Sequence, residues 1–418
     1  MRVLVSAYAC NPLGSKDLHP GEDLTGWRLV NEIAGRHQAT VISHAYNEPS
    51  VRAALKKNPR DNVAFHFLRL PAPFGLLYKV EFGQRIYYYL WQVAAYLLAR
   101  KLHKKRPFDL AHHLTFGNDW LGSWIGAFLP VPYIHGPVGG GQRTPKPLRS
   151  EYTAYGKFAE SAREKAQWFG RRDIVRYRSL KRARAILVCN RETRAKMPRS
   201  YDPKIFDFPV NGMSREDLAV LPRETKAPDG VFRIITAGRF HRLKGFALAV
   251  KAFGRFVREH PASEFILVGQ GEEGERIDRI IRELGIGDKV RLVGWLGRAE
   301  LLGWMARADI MVFQSFRDGG GAVVVEAMAM GKPVVCLDSG GPGFHVRPAW
   351  GIKVAPAAVE TVVADMAAAF AKLQKDPELR LRMGRAARAR VEDYYLHDRE
   401  SERLEAVYRQ ALGRNEEP

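Results

Sequence analysis

Four apolar residues, Ile310 to Phe313, lead into Ser315-Phe316-Arg317-Asp318-Gly319-Gly320-Gly321. The chain continues as Ala322-Val323-Val324-Val325-Glu326-Ala327-Met328-Ala329-Met330-Gly331-Lys332-Pro333, and a second apolar run spans Val334 to Leu337. Three glycines free the backbone to turn sharply and to approach a ligand without Cβ clashes. A helix opens at Ala322, and Gly331 followed by Lys332-Pro333 ends it. Strand, glycine loop, short helix and strand make a parallel crossover unit. The N–H groups of Gly319, Gly320, Gly321 and Ala322 then lie at the carboxyl end of a strand, where an anion such as a diphosphate sits. Asp318 and Glu326, eight positions apart, flank that site. Val323, Val324, Val325, Met328 and Met330 leave Glu326 little free surface, and vicinal sugar hydroxyls suit it, at about 1.5–3 kcal/mol per charge-assisted hydrogen bond. The plain alternative is a turn residue at 318 and a solvated helix acid at 326.

The same alternation runs through the whole chain. Apolar runs at 3–5, 39–43, 63–67, 110–113, 131–135 and 185–189 read as strands. Helices are expected over 24–35 and 82–105, and a basic helical region over 148–184. Pro- and charge-rich residues 221–230, after Phe208-Pro209-Val210-Asn211-Gly212, mark a boundary. Strands then recur at 232–237, 264–268, 290–293, 310–313 and 334–337, with a charged helical tail over 379–412. Strands alternating with helices predict doubly wound parallel sheets, and 418 residues exceed one core. The expected fold is α/β, two Rossmann-like domains facing across a cleft: 1–210 and 211–394.

The net charge is +21, from 66 basic against 45 acidic residues, which favours anionic partners: phospholipid, phosphorylated substrates or nucleic acid. No RNA- or DNA-binding signature accompanies it, so nucleic acid is not expected. Cys10, Cys189 and Cys336 read as buried thiols of a reducing compartment. A strand begins at once after Met1, without a signal peptide of the usual form. Residues 86–99 lack charge but are shorter than the roughly twenty residues that span a bilayer. The expected location is cytoplasmic, peripheral at the inner face of the membrane. No zinc-like Cys/His spacing and no Asp-x-Asp pair occurs, so no metal and no cofactor are expected.

Other stretches carry chemistry. In Gly238-Arg239-Phe240-His241-Arg242-Leu243-Lys244-Gly245, a forked guanidinium and a point-like ammonium leave one strand-to-helix loop, suited to two adjacent phosphates. Gly269-Gln270-Gly271-Glu272-Glu273-Gly274 spells a dinucleotide fingerprint, but glutamates crowd its helix start and would repel phosphate. It reads as a turn whose Gly269 and Gly271 backbone touches a nucleotide base. Gly21 and Glu22 open the first helix, a second terminus facing the cleft. His113 and His135 end strands, and such ends face ligands in open parallel sheets. Residues 338–346 read as a cleft-lining loop. Two basic, aromatic stretches suit an anionic membrane surface: Trp168, Phe169 and Tyr177 among arginines at 171–184, and Tyr87, Tyr88, Tyr89 and Trp91 ahead of Arg100 to Arg106.

Glu326-Ala327-Met328-Ala329-Met330-Gly331-Lys332-Pro333-Val334 resembles the sugar-nucleotide signature of the retaining GT-B glycosyltransferases of the large fourth sequence family (glycosyl transferases group 1). Asp318 stands where that pattern usually has glutamate, and His345 where it usually has another. Arg239 with Lys244-Gly245 resembles the family's diphosphate pair, and Gly269-x-Gly271 its base-contacting turn. Glu22, Gly26 and Trp27, His112 to Gly117, and Gly136 to Gly141 resemble a bacterial polysaccharide-biosynthesis branch, with Leu24 replacing a glycine and His135 a frequent aromatic. The resemblance implies a nucleoside-diphosphate sugar as donor. Glu326 would hold its ribose, Asp318 and the amides of Gly319, Gly320 and Gly321 its sugar, and Arg239 and Lys244 its diphosphate, with Gly21, Glu22, His113, His135 and Ala322 in the site. It further implies transfer with retention and without metal to a lipid-linked or saccharide acceptor on the first domain, and a final helix, about 395–418, crossing back to that domain. A degenerate sugar-nucleotide-binding scaffold at the membrane, and a different enzyme on the same fold such as a sugar-nucleotide epimerase or a phosphorylase, are the rival readings.

Overall fold

The computed structural model describes residues 1–14, 20–79, 81–222 and 229–413. Residues 223–228 of the expected boundary, His19, and the end of the expected crossing helix from 414 lie outside them.

Parallel pairing dictates the architecture. The first sheet contains β1 (Arg2–Ser6), β2 (Gln38–His44), β3 (Val63–Leu68), β4 (Leu110–His113), β5 (Tyr133–Val138), β6 (Ala185–Val188) and β7 (Ile205–Asp207). Its order is β3-β2-β1-β4-β5-β6-β7. The second contains β8 (Phe232–Ala237), β9 (Ser263–Val268), β10 (Val290–Leu292), β11 (Ile310–Phe313), β12 (Val334–Leu337) and β13 (Gly351–Val354), in the order β10-β9-β8-β11-β12-β13. In each sheet the order reverses beside the first strand, so crevices open at β1/β4 and β8/β11.

The central strands are buried along their whole length, as strands covered on both faces must be. Apolar clusters cover both faces of each sheet. Each buried Leu, Ile, Val or Phe there contributes about 1.5–3 kcal/mol.

Helix His397–Ala411 packs onto the first sheet, laying Leu404, Val407, Tyr408 and Ala411 among Leu29, Val30 and Ile33. Arg28 pairs with Glu400, and His37 lies 2.8 Å from Glu405. The chain reaches this helix through a π-helical turn, Val391–Tyr395. There the Met213 N–H donates to the Tyr395 carbonyl (2.8 Å) and the His397 N–H to that of Met213 (3.0 Å). On the opposite side, Leu148 and Tyr152 enter the second sheet's core with Phe240, Phe246 and Phe316. Glu151 pairs with Lys251 (2.8 Å) and Arg276 (2.6 Å), and Arg317 with Glu160 (2.6 Å).

Several expectations are corrected. The first helix, Pro20–Ala34, starts four residues before Leu24, with proline at its head and Glu22 and Asp23 favouring the dipole of its first turn. β5 is displaced towards Val138, because Pro132 has no N–H for the ladder. Residues Gly340–His345 form a helix, not an open loop. The edge strands β7 and β13 were not expected; three or four residues with Asp, Lys or Gly carry little apolar signal. Tyr87, Tyr88 and Trp91 are buried in the core, and the Trp91 indole N–H donates to the Leu68 carbonyl (3.2 Å), so this stretch presents no aromatic membrane face.

Part of the basic run also has structural partners. Arg178 donates to the Ala127 carbonyl (2.9 Å), and Arg182 to those of Gly126 (3.2 Å) and Leu129 (2.9 Å), closing the end of helix Trp124–Phe128. The three cysteines are buried and unpaired, and burial raises their thiol pKa values. No helix among the described residues is long and apolar enough to cross a membrane.

Candidate functional site

The glycine loop after β11 is held by its own neighbours. One Asp318 oxygen accepts the N–H groups of Gly320 (3.0 Å) and Gly321 (2.8 Å), and the other pairs with the Lys244 ammonium. Gly321, at φ 72°, precedes helix Ala322–Ala329 without a side-chain cap. A Cβ there would press on the Pro342 ring at 3.0 Å. His345 bridges the loop to the chain crossing: its Nε2–H donates to the Gly320 carbonyl (2.6 Å), and its Nδ1 accepts from the Tyr395 hydroxyl (2.8 Å). Burial lowers the His345 pKa to about 4, so the ring is neutral at pH 7 and can sustain both bonds. The expected use of Gly320 and Gly321 amides for the sugar is therefore revised. Asp318 engages both, as Asp commonly does in a turn, and acts here as the loop's organiser.

The two cations differ. Lys244 sits in the 3₁₀ turn Arg242–Lys244, and Gly245 (φ 64°) follows so closely on β11 that a Cβ would lie 2.5 Å from the Gln314 carbonyl oxygen. That approach sets Lys244 against Asp318. Arg239 is exposed, and its side chain makes no hydrogen bond or ion pair among the described residues. Glu326 is 16% exposed and accepts from Arg298 Nε (2.8 Å), whose Nη1 reaches Asp217 (2.6 Å). Arg298 and Asp217 were not foreseen, since no sequence spacing ties them to Glu326. Gly269 and Gly271 have a packing role instead of a free edge. Added Cβ atoms would lie 1.9 Å from the Gly238 carbonyl oxygen and 2.5 Å from that of Phe240.

Across the cleft, Glu22 accepts the Phe116 N–H, and Phe116 has φ 58°. Burial raises the Glu22 pKa to about 7 against the opposing effect of that bond. Gly26 is needed for contact, because a Cβ would lie 2.1 Å from the Ala9 carbonyl oxygen.

The histidines are also revised. His113 and His135 are 2% and 1% exposed, and their rings stack at 5.4 Å. His113 Nε2 is bonded to the Tyr88 hydroxyl (3.1 Å), and His135 Nδ1 to that of Tyr133 (2.6 Å). Burial lowers the pKa of His113 to about 3 and that of His135 well below its ordinary value. Both side chains are buried, and no hydrogen bond or ion pair among the described residues joins them to Asp318 or Lys244. Adjacent His112 donates to the Gly136 carbonyl (2.6 Å) and accepts from Tyr408 (2.7 Å), tying in the crossing helix.

Residues 219–390 match the family described as Glycosyl transferases group 1. Residues 219–390 of this chain carry that family's sequence pattern. Among curated relatives, the lipopolysaccharide core biosynthesis glycosyltransferase LpsD of Rhizobium meliloti is 31% identical over 178 residues, 42% of this chain and 46% of that protein. Glycogen synthase of Mycobacterium tuberculosis is 28% identical over 211 residues, 50% of this chain and 49% of that protein. The chain spans about half the length of the curated relatives it matches. Sucrose-phosphate synthase from Thermosynechococcus elongatus superposes with a TM-score of 0.62 at 18% identity, covering 99% of this chain and 100% of that one. HepE of Anabaena, in complex with UDP, superposes at 0.61 with 15% identity, covering 98% and 99%. The fold is GT-B.

In this GT-B fold, a cavity of about 890 Å³ separates the first helix from helix Ala322–Ala329. Gly21, Trp27, Asn31 and Glu32 line one wall, Ala322, Glu326 and Arg298 the other, and His397 of the crossing helix contributes as well.

Proposed function

We propose that the chain transfers a sugar from a nucleoside-diphosphate sugar to a lipid-linked or saccharide acceptor, with retention at the anomeric carbon. Residues 211–394 take the donor, and residues 1–210 with the crossing helix take the acceptor. The observation that carries this reading is the pre-formed loop: Asp318 and His345 hold Gly320 from both sides, at the head of helix Ala322–Ala329, beside Lys244 and the exposed Arg239. Such a terminus favours an anion, and HepE, of the same fold, is known in complexes with UDP and with UDP-glucose.

Arg239 and Lys244 face the diphosphate, and Glu326 shares its carboxylate between Arg298 and the ribose hydroxyls. The bond from the anomeric carbon to the diphosphate oxygen breaks as the acceptor oxygen bonds on the same face. The acceptor's proton passes to the departing phosphate oxygen, whose growing charge the two cations stabilise. No metal is needed in this scheme. Tyr155, Phe158, Trp168, Phe169, Ile174 and Tyr177 are exposed on helices Ala154–Gly170 and Ile174–Arg182. With a net charge of +21, they support a peripheral site on an anionic membrane, where a lipid-linked acceptor resides.

The test is a thermal-shift screen against UDP-, GDP- and ADP-sugars, with and without magnesium, on the full chain and on Glu326→Ala. A ligand at one hundred times its Kd adds about 2.7 kcal/mol. The expected result is a magnesium-independent shift with one nucleotide sugar that Glu326→Ala removes. No shift with any of them refutes the reading.

A further inference from the structure

Helix Ala154–Gly170 comes between β5 and β6 of the first sheet, yet both parts of the molecule hold it. Just before its head, the ring of Tyr152 lies 5.9 Å from that of Phe316 in the second sheet's core. Further along, Arg163 (3.1 Å) and Gln167 (3.0 Å) donate to the Gly140 carbonyl, in the loop after β5. Between these anchors stands Glu160, 4% exposed. One of its oxygens accepts the Thr144 N–H (3.4 Å) and Arg163 Nη1–H (3.5 Å), and the other accepts Arg317 Nη1–H (2.6 Å). Arg317 stands in the glycine loop between Asp318 and the buried Phe316, whose N–H donates to the Leu243 carbonyl (2.9 Å).

We propose that Glu160 is a positioning residue for the donor diphosphate of the transfer proposed above, on which this role rests. It acts through Arg317 and sets the course of the Asp318 loop from the first sheet's side.

The loop's other bonds fix its internal shape. Asp318 accepts from Gly320 and Gly321 and pairs with Lys244, and His345 donates to Gly320, all from the second sheet's part of the chain. Glu160 ties the same loop to the segment after β5 instead, 157 positions away. Thr144 and Arg163 hold its other oxygen, so the carboxylate is oriented before it meets Arg317. Three successive glycines leave the backbone after Asp318 many accessible conformations, and a bond to the side chain just ahead of them limits where that stretch begins. A buried ion pair adds little net stability over an apolar pair of like volume, because both charges lose their water. What it fixes here is geometry. Its charge engaged by Glu160, Arg317 leaves the diphosphate to Lys244 and Arg239.

The test follows amide hydrogen exchange of residues 313–330 by mass spectrometry, and titration with UDP, GDP and ADP by calorimetry, in the full chain. Wild type is compared with Glu160→Gln, Arg317→Gln and the double variant. The expected result is faster exchange across Gly319 to Ala322 in each single variant, with affinity for the nucleotide that wild type binds lowered about tenfold. The double variant should bind no more weakly than the weaker single variant, since both changes break one link. Arg317→Gln, at the more exposed end of the pair, keeps the test decisive should Glu160→Gln fail to fold. Unchanged exchange in the folded variants overturns the positioning role, and so does faster exchange with unchanged affinity. Tighter binding in Glu160→Gln that the double variant loses also overturns it, by making Arg317 a phosphate ligand that Glu160 withholds. Faster exchange in the variants of a wild type that binds none of the three nucleotides keeps the hold of Glu160 on the loop and removes the donor reading.

Discussion

His345 offers a quantitative test of how the glycine loop after β11 is held. Its imidazole is buried and bridges the Gly320 carbonyl (2.6 Å) and the Tyr395 hydroxyl (2.8 Å). His345→Ala leaves the buried Tyr395 hydroxyl and the half-buried Gly320 carbonyl without that partner, and each such loss costs up to about 1–3 kcal/mol, the larger share at Tyr395. The expected destabilisation is up to about 2–6 kcal/mol, a large share of the roughly 5–15 kcal/mol that holds a native protein together. Tyr395→Phe removes one link, so about 1–3 kcal/mol is expected. The double variant should fall short of the sum, because the residues share one network.

Guanidinium unfolding followed by fluorescence at pH 7 gives these differences, and UDP titration of the same proteins reports the loop. Affinity should fall in both variants, because Gly320 is no longer positioned. The His345 contribution also depends on pH. Its folded pKa, about 4, lies below the unfolded 6.5, so the native state resists protonation. Its stabilisation is complete above the unfolded value and is lost as pH falls from 6.5 towards 4. The gap between wild type and His345→Ala must therefore shrink in that window. A His345→Ala protein within about 0.5 kcal/mol of wild type at pH 7, or a gap that widens on acidification, refutes the bridge.

Other outcomes follow from the same geometry. Glu22, raised to about 7, is increasingly costly to ionise as pH rises from 4.5 through 7, so wild type should lose stability across that range relative to Glu22→Gln in unfolding measured by pH. Gly269→Ala forces a Cβ to 1.9 Å from the Gly238 carbonyl oxygen and should destabilise by about 1–3 kcal/mol in thermal unfolding. Arg239→Ala should leave stability within about 0.5 kcal/mol, since the side chain has no partner among the described residues, yet weaken UDP-sugar binding by about tenfold or more in calorimetry. Lys244→Ala should weaken binding similarly while Asp318 keeps its two N–H donors.

Much of this was legible in residue order because its causes are local. Ile310 to Leu337 spells strand, glycine loop, helix and proline stop within one short span, and β11 and β12 carry apolar runs that bury both faces. Arg239 and Lys244 share one loop, so their chemistry could be read from spacing. The pattern failed where partners are distant in the chain. Tyr87, Tyr88 and Trp91 look equally suited to a membrane face or a core; the contact of Trp91 with Leu68 decides for the core. His113 ends β4 as expected, but His135 lies inside β5 and ends no strand; both rings are buried and bonded to the Tyr88 and Tyr133 hydroxyls, partners that spacing does not reveal.

The sequence by itself determined the alternation of strands and helices, the parallel pairing, the two sheets and the loop at the head of helix Ala322–Ala329, because backbone freedom and apolar periodicity act over a few residues. Only the tertiary structure decided which polar groups remain available there. Asp318 engages Gly320 and Gly321, Arg298 engages Glu326 and Arg28 engages Glu400, while the Arg239 side chain has no partner among the described residues. Hydrogen bonds and ion pairs depend on distance in space, and a fold that returns its last helix to its first sheet sets those distances across nearly the whole chain.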